Sequence, residues 1–248
     1  MKCAYGSNVG TQRKVNQDAY LAATIKNIDR ISYVFAVADG LGGHRSGEIA
    51  SQTAVDFIKN NLSRIKDYFD AEEMMAFVND INLELKKVSD DEPARLGMAT
   101  TLTMCIVDGD EMCICHVGDS RTYLVSDKEI LRLTKDHSLV QILVDEGKIT
   151  QAEAEIHPQK NVITRALGTD SSVNVDIYRY PIKADAKYLV CSDGLFNMVS
   201  DETIKKIVNQ NSLEEGAKLL IDTANKNGGK DNITVVLFRP LEGVTDAQ

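Results

Sequence analysis

Three short apolar runs follow one another between residues 100 and 125, and their close spacing constrains the fold more than any other feature of the sequence. Residues 100–107 and 112–117 are separated by Asp108-Gly109-Asp110, which is typical of a β-hairpin turn. Residues 122–125 follow after a short connection, whereas parallel strands need a crossover of about a dozen residues. The runs therefore predict an antiparallel sheet. Further strands are predicted at residues 31–38, 129–133, 188–192 and 233–238.

Helical spacing of apolar residues is found in four segments, and a shorter helix is predicted to begin at Thr150 and Glu153. The four segments are residues 47–62, 70–88, 201–210 and 213–225. Asp70 and Glu73 stand at the positions of a capping box. Because strands and helices do not alternate as β-α-β units, the sequence predicts an α+β fold in which an antiparallel sheet packs on helices.

Composition excludes several classes of protein. The 248 residues include 28 Lys and Arg against 37 Asp and Glu, a net charge of −9, so we expect neither a nucleic-acid partner nor a membrane partner. The longest stretch free of charged residues, 96–107, is far shorter than the roughly 20 residues of a membrane span. Five cysteines without a Cys-x-x-Cys pair favour buried reduced thiols in a cytoplasmic protein.

Aspartates lie at the ends of several predicted strands, each close to a glycine or an asparagine. The five positions are Asp18, Asp39, Asp119, Asp193 and Asp231. Any one of them is well explained as a turn residue, because aspartate favours turns. Gathered in one cleft, however, the five carboxylates would repel one another. Such a cluster indicates hard divalent cations bound through oxygen, Mg²⁺ or Mn²⁺.

Two further residue types near these aspartates suit the chemistry of phosphate esters. Asp39 is followed by Gly40, which allows a backbone carbonyl to point at a metal ion, and later by His44. An imidazole there could protonate the leaving alkoxide of a phosphoserine, although His44 is equally well read as an ordinary loop histidine. Arg13 could hold phosphate oxygens through two hydrogen bonds, although an isolated arginine is usually an exposed side chain.

Seven short motifs, in this order, resemble those of the metal-dependent protein phosphatase family, type 2C, over residues 6–238. They are Gly10-x-x-Arg13-x-x-Asn16-Gln17-Asp18, Asp39-Gly40-x-Gly42-Gly43-His44, Ala99-Thr100-Thr101, Val117-Gly118-Asp119-Ser120-Arg121, Asp136-His137-Ser138, Ser192-Asp193-Gly194-Leu195 and Asp231-Asn232-Ile233-Thr234. The resemblance implies a β-sandwich of two antiparallel sheets flanked by pairs of helices. It also implies a serine/threonine phosphatase that opposes a Ser/Thr kinase.

The same resemblance assigns metal ligands. Asp39 would bridge two Mn²⁺ or Mg²⁺ ions, Gly40 would offer its carbonyl to one, and Asp193 and Asp231 would complete the other. Asp18 would act through a water, and Asp119 with Asp193 would hold a possible third ion. The water between the two ions would attack phosphorus.

The remaining roles also follow from the resemblance. Arg13 would bind the phosphate, His44 would be the general acid, and residues 145–168 would form a flap beside the cleft that is a candidate for substrate selection. Asn8 stands where the family often has aspartate, which could alter the hydrogen bonding around Arg13. We expect one catalytic domain over residues 1–240, a tail over residues 241–248, and a monomer that acts on phosphorylated proteins.

Two alternative readings compete with this one. Cys115 and Arg121 satisfy the Cys-x5-Arg pattern of cysteine phosphatases, in which a thiolate is the nucleophile. Cys115 lies in a predicted strand, however, and Asp119 inside that loop would repel phosphate. The second alternative is a catalytically silent module that binds phosphoproteins. The presence of all the expected aspartates argues against it.

Overall fold

Eleven β-strands form two antiparallel sheets in the computed structural model, which describes residues 1–26, 30–42 and 46–241. The strands are β1 (Lys2–Asn8), β2 (Asp18–Lys26), β3 (Ile31–Leu41), β4 (Ala99–Thr100), β5 (Leu102–Asp108), β6 (Glu111–Val117), β7 (Arg121–Val125), β8 (Ile130–Arg132), β9 (Asp176–Pro181), β10 (Lys187–Cys191) and β11 (Ile233–Arg239). One sheet has the order β1-β11-β10-β7-β8. The other has the order β2-β3-β5-β6-β9, with β4 paired to β3.

Seven α-helices lie in the described residues. They are α1 (Ser46–Asn61), α2 (Ala71–Asp90), α3 (Leu139–Asp145), α4 (Gln151–Ile156), α5 (Asp193–Phe196), α6 (Asp201–Gln210) and α7 (Leu213–Lys226), with 3₁₀ turns at Leu62–Arg64 and Pro93–Arg95. α1 and α2 share a core with the sheet that contains β3, and α5, α6 and α7 share one with the sheet that contains β11. The predicted α+β sandwich flanked by helices is confirmed. In the part of the chain that the structure describes, every helix is too short or too polar to cross a bilayer.

Strand β3 shows how the sequence places the layers. Val34 and Ala36 point into the core beneath α1 and α2, whereas Phe35 and Val37 point into the core between the two sheets. Successive side chains of a strand face opposite sides, and a strand that is buried on both sides reads as a continuous apolar run. Phe35 stacks on Phe238 of the facing sheet with ring centroids 4.0 Å apart.

Strands β1 and β9 were not predicted, because both are edge strands with little buried surface. Among the described residues, β1 pairs only with β11 and buries only Ala4, and β9 pairs only with β6 and buries none of its residues. A strand without a buried face needs no apolar run, so its sequence carries little signal.

The two predicted helix caps have different outcomes. Thr150 and Glu153 open the short helix α4, as expected, and they form a complete capping box there. At α2, Asp70 accepts hydrogen bonds from the backbone N–H groups of Glu72 and Glu73. The second half of that prediction is wrong, because the Glu73 carboxylate accepts instead from the backbone of Lys66 and Asp67. The segment before the helix folds over its first turn and competes for this side chain.

The predicted flap and tail are covered only in part. Residues 145–168 begin at the last residue of α3 and contain α4. Of the tail, residues 242–248 lie outside the described residues.

Candidate metal centre

The structure brings all five predicted aspartates to one end of the sandwich. Because neighbouring strands are antiparallel, the ends of β3, β6 and β10 meet the starts of β2, β7 and β11 there. Asp18 and Asp39 are directly paired across β2 and β3. Asp119 lies in the turn from β6 to β7, Asp193 begins α5 directly after β10, and Asp231 precedes β11. Asp39 lies within β3, which continues to Leu41, rather than after it as the sequence predicted.

The backbone around Asp39 is fixed by two threonines. The Asp39 N–H donates to Thr101 Oγ1 at 3.0 Å, and the Asp39 carbonyl accepts from Thr100 Oγ1 at 3.0 Å. Gly40 follows at a point of close approach, since a Cβ there would lie 2.0 Å from the carbonyl oxygen of Gly47. The chain therefore needs glycine next to Asp39 to let the first turn of α1 pack against it.

Four of the aspartates carry no ion pair within the described residues: Asp18, Asp39, Asp119 and Asp193. Burial is the largest cause that raises the pKa of each carboxyl, and neighbouring carboxylates raise it further. The pKa of Asp18 rises to about 6 and that of Asp119 to about 7. Such a group of acids is costly to ionise without a cation beside it.

Several oxygens of these carboxylates are left without a donor. The Oδ1 atoms of Asp18, Asp119 and Asp193 are buried and accept no hydrogen bond from the described residues. The partner oxygens of two of these side chains are held, because Asp18 Oδ2 accepts from Ser192 Oγ at 2.7 Å and Asp193 Oδ2 from Asn197 Nδ2 at 3.0 Å. Each of these two carboxylates is thus oriented through one oxygen and offers the other.

These oxygens fit a hard divalent cation. Buried polar atoms in proteins almost always have a partner. Unpartnered oxygens on buried carboxylates that lack an ion pair therefore indicate that the partner is a bound cation. Within the described residues, no group of three or more His, Cys, Asp or Glu side chains could hold a metal ion by itself. Mg²⁺ usually keeps several waters and takes only one or two carboxylates, so the fit does not require a closed cage.

Asp231 differs from the other four because it already has a basic partner. Arg13 Nη2 donates to Asp231 Oδ2 at 2.7 Å, and the Asn232 N–H donates to Asp231 Oδ1 at 2.9 Å. The Arg13 side chain is 52% exposed, so it lies at the solvent-facing side of the site. Asn8 Oδ1 accepts from the backbone N–H of Gly10 at 2.9 Å and so holds the turn ahead of Arg13.

His44, the predicted general acid, lies outside the described residues.

Comparison with known proteins identifies the family of the chain. A family model described as protein phosphatase 2C matches residues 6–237 of the chain. The chain belongs to the protein phosphatase 2C family. The family predicted from the seven motifs is therefore confirmed.

Three relatives show how closely this protein phosphatase 2C chain follows bacterial members. The serine/threonine phosphatase stp of Listeria monocytogenes is 37% identical over 242 residues, covering 96% of this chain and 95% of that protein. The structure of the serine/threonine phosphatase Stp1 from Staphylococcus aureus superimposes with a TM-score of 0.89 at 32% identity, covering 97% and 95% of the two chains. The catalytic domain of the phosphatase PstP, in complex with two manganese ions, superimposes with a TM-score of 0.82 at 37% identity, covering 95% and 96%.

The cysteine phosphatase alternative is not supported by the geometry of this family member. Cys115 is fully buried in β6, and the neighbouring Cys113 thiol together with burial raises the Cys115 pKa well above its usual range. A thiol held in that state is a poor nucleophile. The arginine of the pattern, Arg121, is paired with Asp136 through its guanidinium, and its side chain is only 17% exposed.

Arg121 has a structural role that the sequence analysis did not assign. Its Nε and Nη2 atoms donate to the two carboxylate oxygens of Asp136 at 3.0 and 2.7 Å. Its guanidinium lies 3.6 Å from the ring centroid of Phe196. Phe196 ends the short helix that Asp193 begins, and Arg121 lies two residues after Asp119. The arginine therefore ties together the two segments that carry these aspartates.

His137 fixes the turn that carries Asp119. The Gly118 N–H donates to His137 Nδ1 at 3.1 Å, and the His137 N–H donates to the Gly118 carbonyl at 2.7 Å. Gly118 adopts a φ of 109°, and a Cβ there would lie 2.5 Å from the Thr101 side chain. The turn is thus held from both sides in a conformation that needs glycine.

A cleft of about 710 Å³ opens beside the aspartates. Asp119 and Asp193 line it together with residues of α3 and α4 on one wall and of α5 and α6 on the other. The predicted flap therefore forms one side of a cleft that includes two of the candidate metal-binding residues.

Proposed function

We propose that this chain is a protein serine/threonine phosphatase that hydrolyses phosphoserine and phosphothreonine with two divalent metal ions. The observation that carries the proposal is the set of four buried aspartates without a cationic partner at one end of a protein phosphatase 2C sandwich. Relatives that match over nearly the whole chain are named serine/threonine phosphatases. The two manganese ions in the PstP complex support a dinuclear site, with Mn²⁺ or Mg²⁺ as the metal.

The residues that would hold the ions are those at the end of the sandwich. Asp39 would bridge both ions, and the Gly40 carbonyl would bind one. Asp193 and Asp231 would bind the other, and Asp18 would support the site through a water. Asp119 with Asp193 would hold a third ion, which fits the unpartnered Oδ1 atom of each. When bound, the ions activate water as a nucleophile and neutralise charge on the phosphoryl oxygens.

The remaining steps belong to the protein itself. Thr100 and Thr101 hold the Asp39 backbone, and Ser192 orients Asp18, so the acidic oxygens are in place before substrate arrives. Arg13 would leave Asp231 and donate two hydrogen bonds to the phosphate, because its planar guanidinium matches two phosphate oxygens. This exchange would leave Asp231 available to a metal ion.

His44 would donate a proton to the leaving oxygen of serine or threonine. A serine alkoxide is a poor leaving group, whereas an aryl oxide leaves without a proton. We therefore expect His44→Ala to lower kcat on a phosphoserine peptide at least about tenfold more than on an aryl phosphate. Steady-state kinetics on both substrates test this role, and equal losses would argue against it.

The proposed function is tested by hydrolysis of a phosphothreonine peptide. The enzyme is assayed with Mn²⁺, with EDTA, and with Mn²⁺ after treatment with iodoacetamide. We expect activity that requires the metal and survives alkylation. Activity that survives EDTA but is lost on alkylation would favour a thiol mechanism. Folded protein without activity under every condition would favour the phosphoprotein-binding module.

The cellular setting is proposed on the same basis. The partners would be phosphorylated proteins and the Ser/Thr kinase that the enzyme opposes. We propose a monomer with one catalytic domain over residues 1–240, since both sheets and all the candidate ligands come from one chain. Four free cysteines are buried, as expected for a cytoplasmic protein.

A further inference from the structure

The cleft beside the candidate metal centre has room for polypeptide as well as for phosphate. Its volume of about 710 Å³ lies within the range of about 300–1,000 Å³ that is usual for ligand sites. Asp119 and Asp193 line it, so it is continuous with the place where the phosphate would bind. Residues of an extended peptide follow one another at about 3.3 Å, and the nearest neighbours of a phosphoresidue would therefore lie in or over this cleft.

Apolar side chains line both walls of the cleft. The α3–α4 wall contributes Val140, Ala154 and Ile156, and the α5–α6 wall contributes Phe196 and Met198. Ile156 is 83% exposed, more than any other large apolar side chain in the described residues. A single exposed isoleucine needs no explanation by itself. At the edge of a cleft that has a mixed polar and apolar lining and leads to the candidate metal centre, it offers apolar surface that a substrate could cover.

Charged residues of the cleft do not form an anion-binding patch. Three basic residues line the cleft. Arg121 and Arg132 both pair with Asp136, whereas Lys160 forms no ion pair with the described residues. Glu155 also lines the cleft and is close to Lys160 in sequence. Acidic flanking residues would therefore gain little here, whereas the apolar side chains on the two walls can contact an apolar flanking residue.

We propose that this cleft binds the segment of the phosphoprotein next to the phosphoserine or phosphothreonine, and that Ile156 contacts an apolar side chain in that segment. The proposal rests on the proposed phosphatase activity and defines its substrate class more narrowly. The preferred substrates are phosphoproteins with an apolar residue within a few positions of the phosphate. Ile156 is a specificity residue in this account and takes no part in the hydrolysis itself.

The test uses a set of phosphothreonine peptides that have alanine at the three positions on either side of the phosphothreonine. Each peptide of the set carries a single leucine in place of one of these alanines. For the wild-type enzyme with Mn²⁺, leucine at one or more positions should raise kcat/KM by about 5- to 10-fold. Ile156→Ser should abolish this preference and leave the hydrolysis of an aryl phosphate within about twofold of the wild type, because that substrate has no peptide to fill the cleft.

Ile142→Ser is the matched control, since Ile142 is an exposed isoleucine of α3 that does not line the cleft. It should retain the leucine preference. Phe196 is unsuitable as a second variant because it packs against Arg121. The inference is overturned if the wild type prefers leucine nowhere, if Ile156→Ser retains the preference, or if Ile142→Ser loses it equally. It is also overturned if Ile156→Ser lowers aryl phosphate hydrolysis to the same extent. A wild-type enzyme that hydrolyses neither substrate with Mn²⁺ would instead overturn the proposed function.

Discussion

Asp119 carries a carboxylate whose charge the folded protein alone does not compensate. The residue is 6% exposed and its Oδ1 atom accepts no hydrogen bond from the described residues. Its pKa rises to about 7, with burial as the largest cause. A raised acid pKa means that the folded state holds the proton more tightly than the unfolded state does. Without metal, ionisation of Asp119 therefore lowers the free energy of unfolding as the pH rises from about 4 to about 7.

Replacement of Asp119 by asparagine should remove this pH dependence. In EDTA, the free energy of unfolding of the wild type should fall relative to that of Asp119→Asn between pH 4 and 7. The relative fall should be on the order of a few kcal/mol, since one pKa unit corresponds to about 1.4 kcal/mol. Denaturant unfolding at several pH values measures it. Asp56→Asn, at an exposed position of α1, should follow the wild type. Parallel curves for the wild type and Asp119→Asn would contradict the assigned environment.

Arg121 should tolerate lysine poorly, because lysine can neither form the paired contact to Asp136 nor stack flat on Phe196. The Arg121 and Asp136 side chains are only 17% and 9% exposed, so a lost contact leaves a buried charge poorly paired. We expect Arg121→Lys to lower the free energy of unfolding by about 2–4 kcal/mol, measured by urea denaturation.

An arginine elsewhere in the structure provides the control for this change. Arg179 also forms a paired contact, with Glu111, and lies over the Phe69 ring, but its side chain is 56% exposed. Arg179→Lys should leave the free energy of unfolding close to that of the wild type, because exposed ion pairs contribute little. Equal losses for the two variants would show that Arg121 does not hold the site together in the way described.

Sequence reasoning located the acidic residues but not the residues that orient them. An aspartate beside an apolar run is visible locally, as at Asp39. Its support by Thr101 depends on a contact across 62 residues, and that of Asp18 by Ser192 on one across 174 residues. Both hydroxyl residues stand within the family motifs, yet nothing in their local sequence indicates which carboxylate or backbone group they contact.

At the scale of elements, the predicted flap, residues 145–168, has few buried residues. Helix α4 has six residues, of which only Ala154 is buried. Helices this short are unstable in isolation, so the capping box of Thr150 and Glu153 should account for much of its order.

Thr150→Ala should therefore act locally. We expect amide hydrogen exchange in residues 151–156 to become about 5- to 10-fold faster, in line with a lost cap of about 1 kcal/mol. The global free energy of unfolding should change by less than about 0.5 kcal/mol. Asp70→Ala at the 20-residue helix α2 provides the contrast, because this helix packs on the main core. Loss of its cap should lower the global free energy of unfolding by about 1 kcal/mol. A global loss from Thr150→Ala as large as that from Asp70→Ala would contradict a locally ordered flap.

The longer elements with a continuous buried face were predictable, whereas the edge strands β1 and β9 and the short helix α3 were not. The central strands β3 and β11 are apolar along most of their length, and their bounds were close to those predicted. The edge strands β1 and β9 pair on one side only, and their backbone hydrogen bonds impose no hydrophobic pattern. The Glu73 carboxylate accepts from the backbone of Lys66 in the loop before α2. The sequence of the helix does not show the path of that loop.

At the scale of the whole molecule, the antiparallel sandwich assembles the site from distant parts of the chain. The first strand pairs with the last, β1 with β11, so Arg13 and Asp231 meet across 218 residues. Short connections between predicted strands were enough to indicate antiparallel sheets. They did not give the strand order. The family resemblance implied a β-sandwich but not the order of its strands.

The central claim is that Asp39 is a metal-binding residue required for hydrolysis, and turnover of a phosphothreonine peptide by Asp39→Asn at saturating Mn²⁺ tests it most directly. Asparagine has the same shape but lacks the charge that holds a divalent cation. We predict a loss of kcat of about a thousandfold or more, with an unchanged circular dichroism spectrum and with Asp56→Asn as an active control. A folded Asp39→Asn enzyme that retains kcat within about tenfold of the wild type would contradict the account.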